Sequence, residues 1–242
     1  MVCLANAWGS AYARELKIVF SQYTPPYVFE NGTGIVVDIV RAALAPAGYE
    51  LTPVYAPIDR AFKLFADNKV DGTTIIQESS GIKANYSVNF MQYHNSCFAL
   101  KVRNLGVRNI SDLKDKSVVG FQNADKYLGQ AFGRMASGNP KYVEMAQQEA
   151  QVQMLLLGRI DVAVMDESIF RYYREKLISE GRANRTQEID TFNIFPPTPY
   201  KAAFTDAGIR DEFNKELSAM RKDGRYDAIY RKYVEQYFAI KK

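Results

Sequence analysis

The sequence predicts an α/β protein built as two lobes, each a mostly parallel sheet flanked by helices. Three observations lead there. Short apolar runs alternate with segments whose apolar residues recur at helical spacing, and this alternation begins a second time after an apolar run at residues 95–102. The length of 242 residues accommodates one large domain or two of roughly 110, and the restart favours two.

The first strand is KIVFS, residues 17–21, a short apolar run. The turn after it, YTPPYVFENGTG, is not helical, because Pro25 and Pro26 fix their own φ and hold the residues before them extended. In VVDIVRAALAPAGYE, Val37, Val40, Ala43 and Leu44 share one helical face, and Gly48 ends the helix. LTPVYA is a second strand, IDRAFKLFADNK a second helix and VDGTTII a third strand. The second lobe repeats the scheme: ISDLKDK a short helix, SVVGF a strand, ADKYLGQAFGRMA a helix, QQEAQVQMLLLG a helix, RIDVAVMD a strand and ESIFRYYREKL a helix. DTFNIFPPTPYKAAFT is extended, and two helices, IRDEFNKELSAMRKDG and RYDAIYRKYVEQYF, close the chain.

Ligands of such sheets bind outside the carboxyl ends of the strands. The turn at 21–34 and the loop at 76–87 both leave strands on that edge, so they are expected to line a cleft.

Composition removes other classes. The formal charge is +4 from 31 basic and 27 acidic residues, and the basic residues are scattered without a run of five. That describes a solvated surface and excludes a nucleic-acid footprint. No run approaches the roughly 18 apolar residues of a membrane span, so no membrane insertion is expected. Cys3 and Cys97 suggest neither a disulfide nor a metal site, and no GxSxG motif, paired cysteines or zinc spacing is present. No cofactor or metal is expected. The start, MVCLANAWGSAYA, lacks the basic head of a secretory signal, yet Ala11-Tyr12-Ala13 is a small-x-small cleavage pattern directly before a strand. Residues 1–13 therefore read as the remnant of an export signal.

PPYVFENGTGIVVDIVRAAL, PIDRAFKLFADNKVDG, ISDLKDKSVVGFQNADKYLG, LLLGRIDVAVMDE and FNKELSAMRKDGRYDAIYRKY, in this order and spacing, resemble the periplasmic solute-binding proteins of the polar amino-acid type, bacterial extracellular solute-binding protein family 3. The likeness spans almost all of residues 15–238. It implies the type II periplasmic binding protein fold, two lobes joined by two hinge strands that close on a ligand. Lobe 1 would take residues 14–92 and 200–242, and lobe 2 residues 93–199.

The resemblance also marks a departure. Members that bind free amino acids carry an arginine in the loop after the VDG strand, where its planar guanidinium grips the ligand carboxylate. Here the loop is QESSGIKANYS, and Ser80 or Lys83 stands in that place, depending on the direction of counting. Lys83 serves as a point charge for an anion or is merely solvated. Glu78, Ser80 and Thr74 offer acidic or neutral contacts. Asp166, ending the strand RIDVAVMD, matches the family's partner for a ligand ammonium group, or caps the helix after it. Gln122 and Asn123 lie between a strand and a helix start, where backbone N–H groups favour an anion or carbonyl oxygen; Asn123 also suits a cap. Tyr23, Tyr27 and Tyr86, with Tyr93 as a further candidate, supply aromatic walls or core. Arg60 either touches ligand or braces its loop.

These readings give a periplasmic, monomeric, non-enzymatic protein that captures a small polar solute, amino acid-like or amine-containing, for an ABC permease. The alternative is a ligand-sensing partner of a membrane signalling protein. A third reading is an enzyme like cyclohexadienyl dehydratase, for which Glu78 and Asp166 are the acids at hand.

Overall fold

The computed structural model describes residues 13–238, with side chains described as far as residue 234. The export-signal expectation falls on residues 1–13, of which 1–12 lie outside the described residues. The strands are β1 (Arg14–Ser21), β2 (Tyr49–Ala56), β3 (Gly72–Ile76), β4 (Asn85–Tyr86), β5 (Met91–Tyr93), β6 (Asn95–Leu100), β7 (Val118–Phe121), β8 (Tyr142–Met145), β9 (Val162–Asp166), β10 (Ile189–Phe192) and β11 (Thr198–Phe204). The α-helices are α1 (Ile35–Leu44), α2 (Ile58–Ala66), α3 (Ala124–Tyr127), α4 (Gln130–Gly138), α5 (Gln148–Leu156), α6 (Glu167–Ser179), α7 (Ala207–Asp223) and α8 (Arg225–Phe238).

The chain forms two compact units. Unit 1 comprises residues up to Tyr23, Tyr27–Phe90 and Lys201–Tyr230; unit 2 comprises Thr24–Pro26, Met91–Tyr200 and the chain from Arg231 on.

In unit 1 the strand order is β2-β1-β3-β11-β4. β1 runs parallel to β2 and β3, and β11 antiparallel to β3 and β4. Leu16, Ile18, Val19 and Phe20 of β1 are buried because this strand is central and covered on both faces. α1 buries Ile35, Val36, Ile39, Val40, Ala43 and Leu44, the stripe its apolar spacing dictates, and it packs on α7. Phe213 of α7 meets Phe204 and Phe90, with ring centroids 5.2 and 5.9 Å apart. The entry to α1 requires glycine: Gly34 has φ 136°, and a Cβ there would lie 2.3 Å from the Tyr27 carbonyl oxygen. Closing the turn, Arg41 donates to Asp38 at 2.7 Å and to the Gly32 carbonyl at 3.1 Å.

In unit 2 the order is β10-β6-β9-β7-β8, with β7 parallel to β8 and β9 and with β6 antiparallel to β9 and β10. Val118, Val162, Val164, Leu113, Phe132 and Phe195 form its core. A reciprocal pair fixes where β7 and β9 begin: Asp161 accepts from the Ser117 N–H and hydroxyl, each at 2.9 Å, and donates its own N–H to that hydroxyl at 2.8 Å. α5 and α6 are tied by Glu149, which meets both Lys176 and Arg182 at 2.5 Å.

Two local expectations need correction. The single helix read over 124–136 is two, because Gly129 takes φ 89° and breaks the helical run between α3 and α4. The short helix read at 110–116 is a 3-10 turn over Ile110–Leu113, held by Asn109 accepting from the Ser111 N–H and by Asp112 accepting from the Asn109 N–H.

Candidate ligand-binding residues

The parallel strands of unit 1 end on one edge, at Ser21, Ala56 and Ile76. The chain is strained there. Tyr23 has φ 24° and Ile75 φ 55°, the second a β-branched residue in the left-handed region. Ile75 lies in a bulge with one extra residue on β3: β11 passes from Ala203 to Lys201 while β3 passes from Thr73 to Ile76. Such bulges bend the strand and re-aim the chain beyond it.

Beyond this bulge runs the loop at 76–87, whose residues brace one another. The Tyr86 hydroxyl donates to the Ile82 carbonyl at 2.6 Å and lies 3.2 Å from the Ser80 hydroxyl, and Tyr86 packs against the core cluster that includes Val19, Ile76 and Ala203. Glu78 pairs with Lys201 of β11, a residue that was no candidate from sequence. Lys83 and Arg60 are exposed, and among the described residues neither makes an ion pair. Thr74 is buried, its hydroxyl directed at the Val19 carbonyl 3.4 Å away. Tyr27 is wholly buried and Tyr23 half-buried.

In unit 2, Asp166 ends β9 and is 2% exposed. It is the N-cap of α6: Oδ1 accepts from the N–H groups of Ser168 and Ile169 at 2.9 and 3.2 Å, and Oδ2 accepts from the His94 N–H at 2.9 Å. The carboxylate is thereby fixed in place before any ligand arrives. Its charge also reaches Tyr200, whose hydroxyl is pushed above its ordinary pKa by burial first, and further by Tyr127 and Asp166. The Tyr93 and Tyr127 rings flank Tyr200, with centroids 5.1 and 6.3 Å from it. Tyr127 and Tyr200 were not candidates from sequence, because each stands alone in a polar or proline-rich stretch. The lone histidine, His94, places its Nε2 3.1 Å from the Gln92 side-chain nitrogen.

The junction after β7 departs from expectation. Gln122 is exposed. Asn123 adopts φ 63°, yet its side chain does not cap α3 and instead receives Lys126 Nζ at 3.1 Å. The N–H groups of Asn123 and Asp125 both donate to the Glu144 carboxylate on β8, at 2.7 and 3.0 Å, and the Tyr142 hydroxyl donates to it at 2.8 Å. Burial alone would raise the Glu144 pKa. The Asp125 N–H, the Tyr142 hydroxyl and the Asn123 N–H together outweigh it and hold the carboxyl below its ordinary value.

Cys97, in the core of β6, is buried and pushed up by burial, so its thiol is protonated and inert. Among the described residues no cluster of His, Cys, Asp and Glu is arranged to hold a metal ion, and no helix is long and apolar enough to cross a membrane.

Two α/β units with these mixed sheets define the two-lobe, type II periplasmic binding protein fold. The chain belongs to the bacterial extracellular solute-binding proteins, family 3, whose family model matches residues 16–236. Among solved structures it is similar to an ancestral arginine-binding protein bound to arginine, at 22% identity and TM-score 0.72 over 92% of this chain and 99% of that one. It is also similar to an ancestral amino acid-binding protein described as a precursor of cyclohexadienyl dehydratase, at 20% identity and TM-score 0.71 over 90% and 95% of the two chains. A histidine kinase sensor domain with similarity to periplasmic binding proteins gives 18% identity and TM-score 0.72 over 92% and 97%. At these identities the likenesses show the fold alone. No curated protein sequence matches the chain.

Proposed function

We propose that the protein captures a small polar solute by closure of its two lobes and that Asp166 receives an amine or other donor group of that solute. The observation carrying this reading is a buried carboxylate at the end of β9, fixed by three backbone N–H groups, whose charge reaches a tyrosine cluster of Tyr200 with the Tyr93 and Tyr127 rings. A carboxylate held in advance needs no reorganisation to meet a cation, and aromatic faces add about 0.5–2 kcal/mol each. The cap role and the ligand role are compatible, because a carboxylate that accepts backbone N–H groups keeps its negative charge for a cation.

The protein acts outside the inner membrane and delivers its solute to an ABC permease, without turnover. Glu78, the other acid read as a possible catalyst, is paired with Lys201, which supports the non-enzymatic reading. Likeness to a kinase sensor domain supports a second reading, in which a membrane sensor recognises the closed form. A thermal-shift screen over amino acids, polyamines, nucleosides and dicarboxylates tests capture, since a solute at 100 times its Kd adds about 2.7 kcal/mol. No stabilisation by any class would refute it. Loss of prephenate or arogenate absorbance on incubation with the protein would refute the non-enzymatic reading.

A further inference from the structure

We propose that Glu144 fills the amide cradle at the end of β7 from within, and that the captured solute is consequently an amine without a carboxylate to place there. The inference rests on the capture reading above and names its ligand class. Backbone N–H groups converging at a strand end are the groups a ligand carboxylate would use. Here those of Asn123 and Asp125 converge on the two oxygens of Glu144, and the Tyr142 hydroxyl joins them.

The arrangement is built into three elements. Glu144 stands opposite Gly120 in the parallel pairing of β8 with β7. A Cβ on Gly120 would lie 2.8 Å from the Tyr142 hydroxyl, so glycine leaves the room that hydroxyl needs to reach Glu144. The left-handed conformation of Asn123 turns the chain so that its own N–H and that of Asp125 face the same carboxylate.

An incoming carboxylate would gain only what Glu144 surrendered, and it would approach a second acid, Asp125, in the first turn of α3. The nearby cation, Lys126, is engaged by the Asn123 side chain. In the loop after β3, no arginine offers a carboxylate an alternative. An amine meets the opposite conditions at Asp166.

Two measurements decide the matter. In the first, wild type and Glu144→Ala are melted in sodium acetate and in sodium chloride of equal ionic strength, and the amide resonances of Asn123 and Asp125 are followed. Acetate is expected to stabilise the variant and shift both amides while leaving the wild type unchanged. An equal response in wild type, or none in the variant, overturns the role of Glu144. Glu144→Gln, which puts an amide donor against the cradle, serves if the alanine variant does not fold. In the second, calorimetry compares lysine with cadaverine, ornithine with putrescine and arginine with agmatine. The wild type is expected to favour the amine at least tenfold in one or more pairs, and Glu144→Ala to narrow the ratio. Equal affinity within the pairs, or binding of none of the six, overturns the ligand class. Only silence across the whole thermal-shift screen would also bring down capture.

Discussion

Replacing Asp166 by asparagine separates its two roles. Asparagine keeps an acceptor oxygen for the Ser168 and Ile169 N–H groups, so α6 retains its cap. The amide nitrogen that replaces the second oxygen cannot accept the His94 N–H, and one buried donor loses its partner at a cost of about 1–3 kcal/mol. Against a usual total of about 5–15 kcal/mol the variant still folds. Its affinity for an amine should fall further, because removing one member of a buried charged pair costs about 2–5 kcal/mol, or roughly 30- to 4000-fold in Kd. Urea titration measures the first quantity, and calorimetry with the best-stabilising amine measures the second. A variant that loses stability but keeps its Kd would show Asp166 to be a helix cap and nothing more.

Other parts of the molecule carry their own expected outcomes. Gly34→Ala forces a side chain against the Tyr27 carbonyl at a φ that alanine avoids, so urea denaturation should show a loss of at least about 2 kcal/mol; an unchanged midpoint would refute the account of that turn. Burial, the largest influence on Glu149 and on Asp161, pushes both carboxyls up. Lys176 and Arg182 outweigh it for Glu149, as the Ser117 N–H and hydroxyl do for Asp161, so both end below their ordinary values. Their stabilisation is complete above the unfolded carboxylate range of about 4 and is lost as the pH falls through the lowered folded values. Urea midpoints measured from neutral to acid pH should therefore decline with acid, less steeply in Glu149→Gln, and a rise on acidification would contradict this. Ser80→Arg restores a guanidinium to the loop but removes the Ser80 partner of Tyr86; it should not tighten capture of an amine, and a clear gain in calorimetry would show that a carboxylate sits there.

The α/β alternation was readable because β1 and β9 are short apolar runs and α1 and α6 carry helical spacing. Ile18, Val19 and Phe20 are consecutive buried residues of a central strand, as all five residues of β9 are, and α1 repeats its apolar residues every three or four positions. β8 escaped because it is a four-residue edge strand with no buried face, so its sequence has no reason to alternate. That omission hid Glu144, the residue that changes the chemistry of the junction after β7. Asp166 was legible as a carboxylate closing an apolar strand. Two of its N–H partners, Ser168 and Ile169, are the local cap that the position before α6 suggests. The third, the His94 N–H, depends on the pairing of β6 with β9, which brings residues 72 apart into contact and leaves no local signal. Lys201 was obscured in the same way, since its pairing with Glu78 depends on β11 returning beside β3.

Small-angle scattering, with and without the amine that stabilises the protein most, tests the central claim most directly. Capture by lobe closure predicts a smaller radius of gyration and a shorter maximum dimension in the presence of the solute. Superimposable profiles at saturating solute would contradict it.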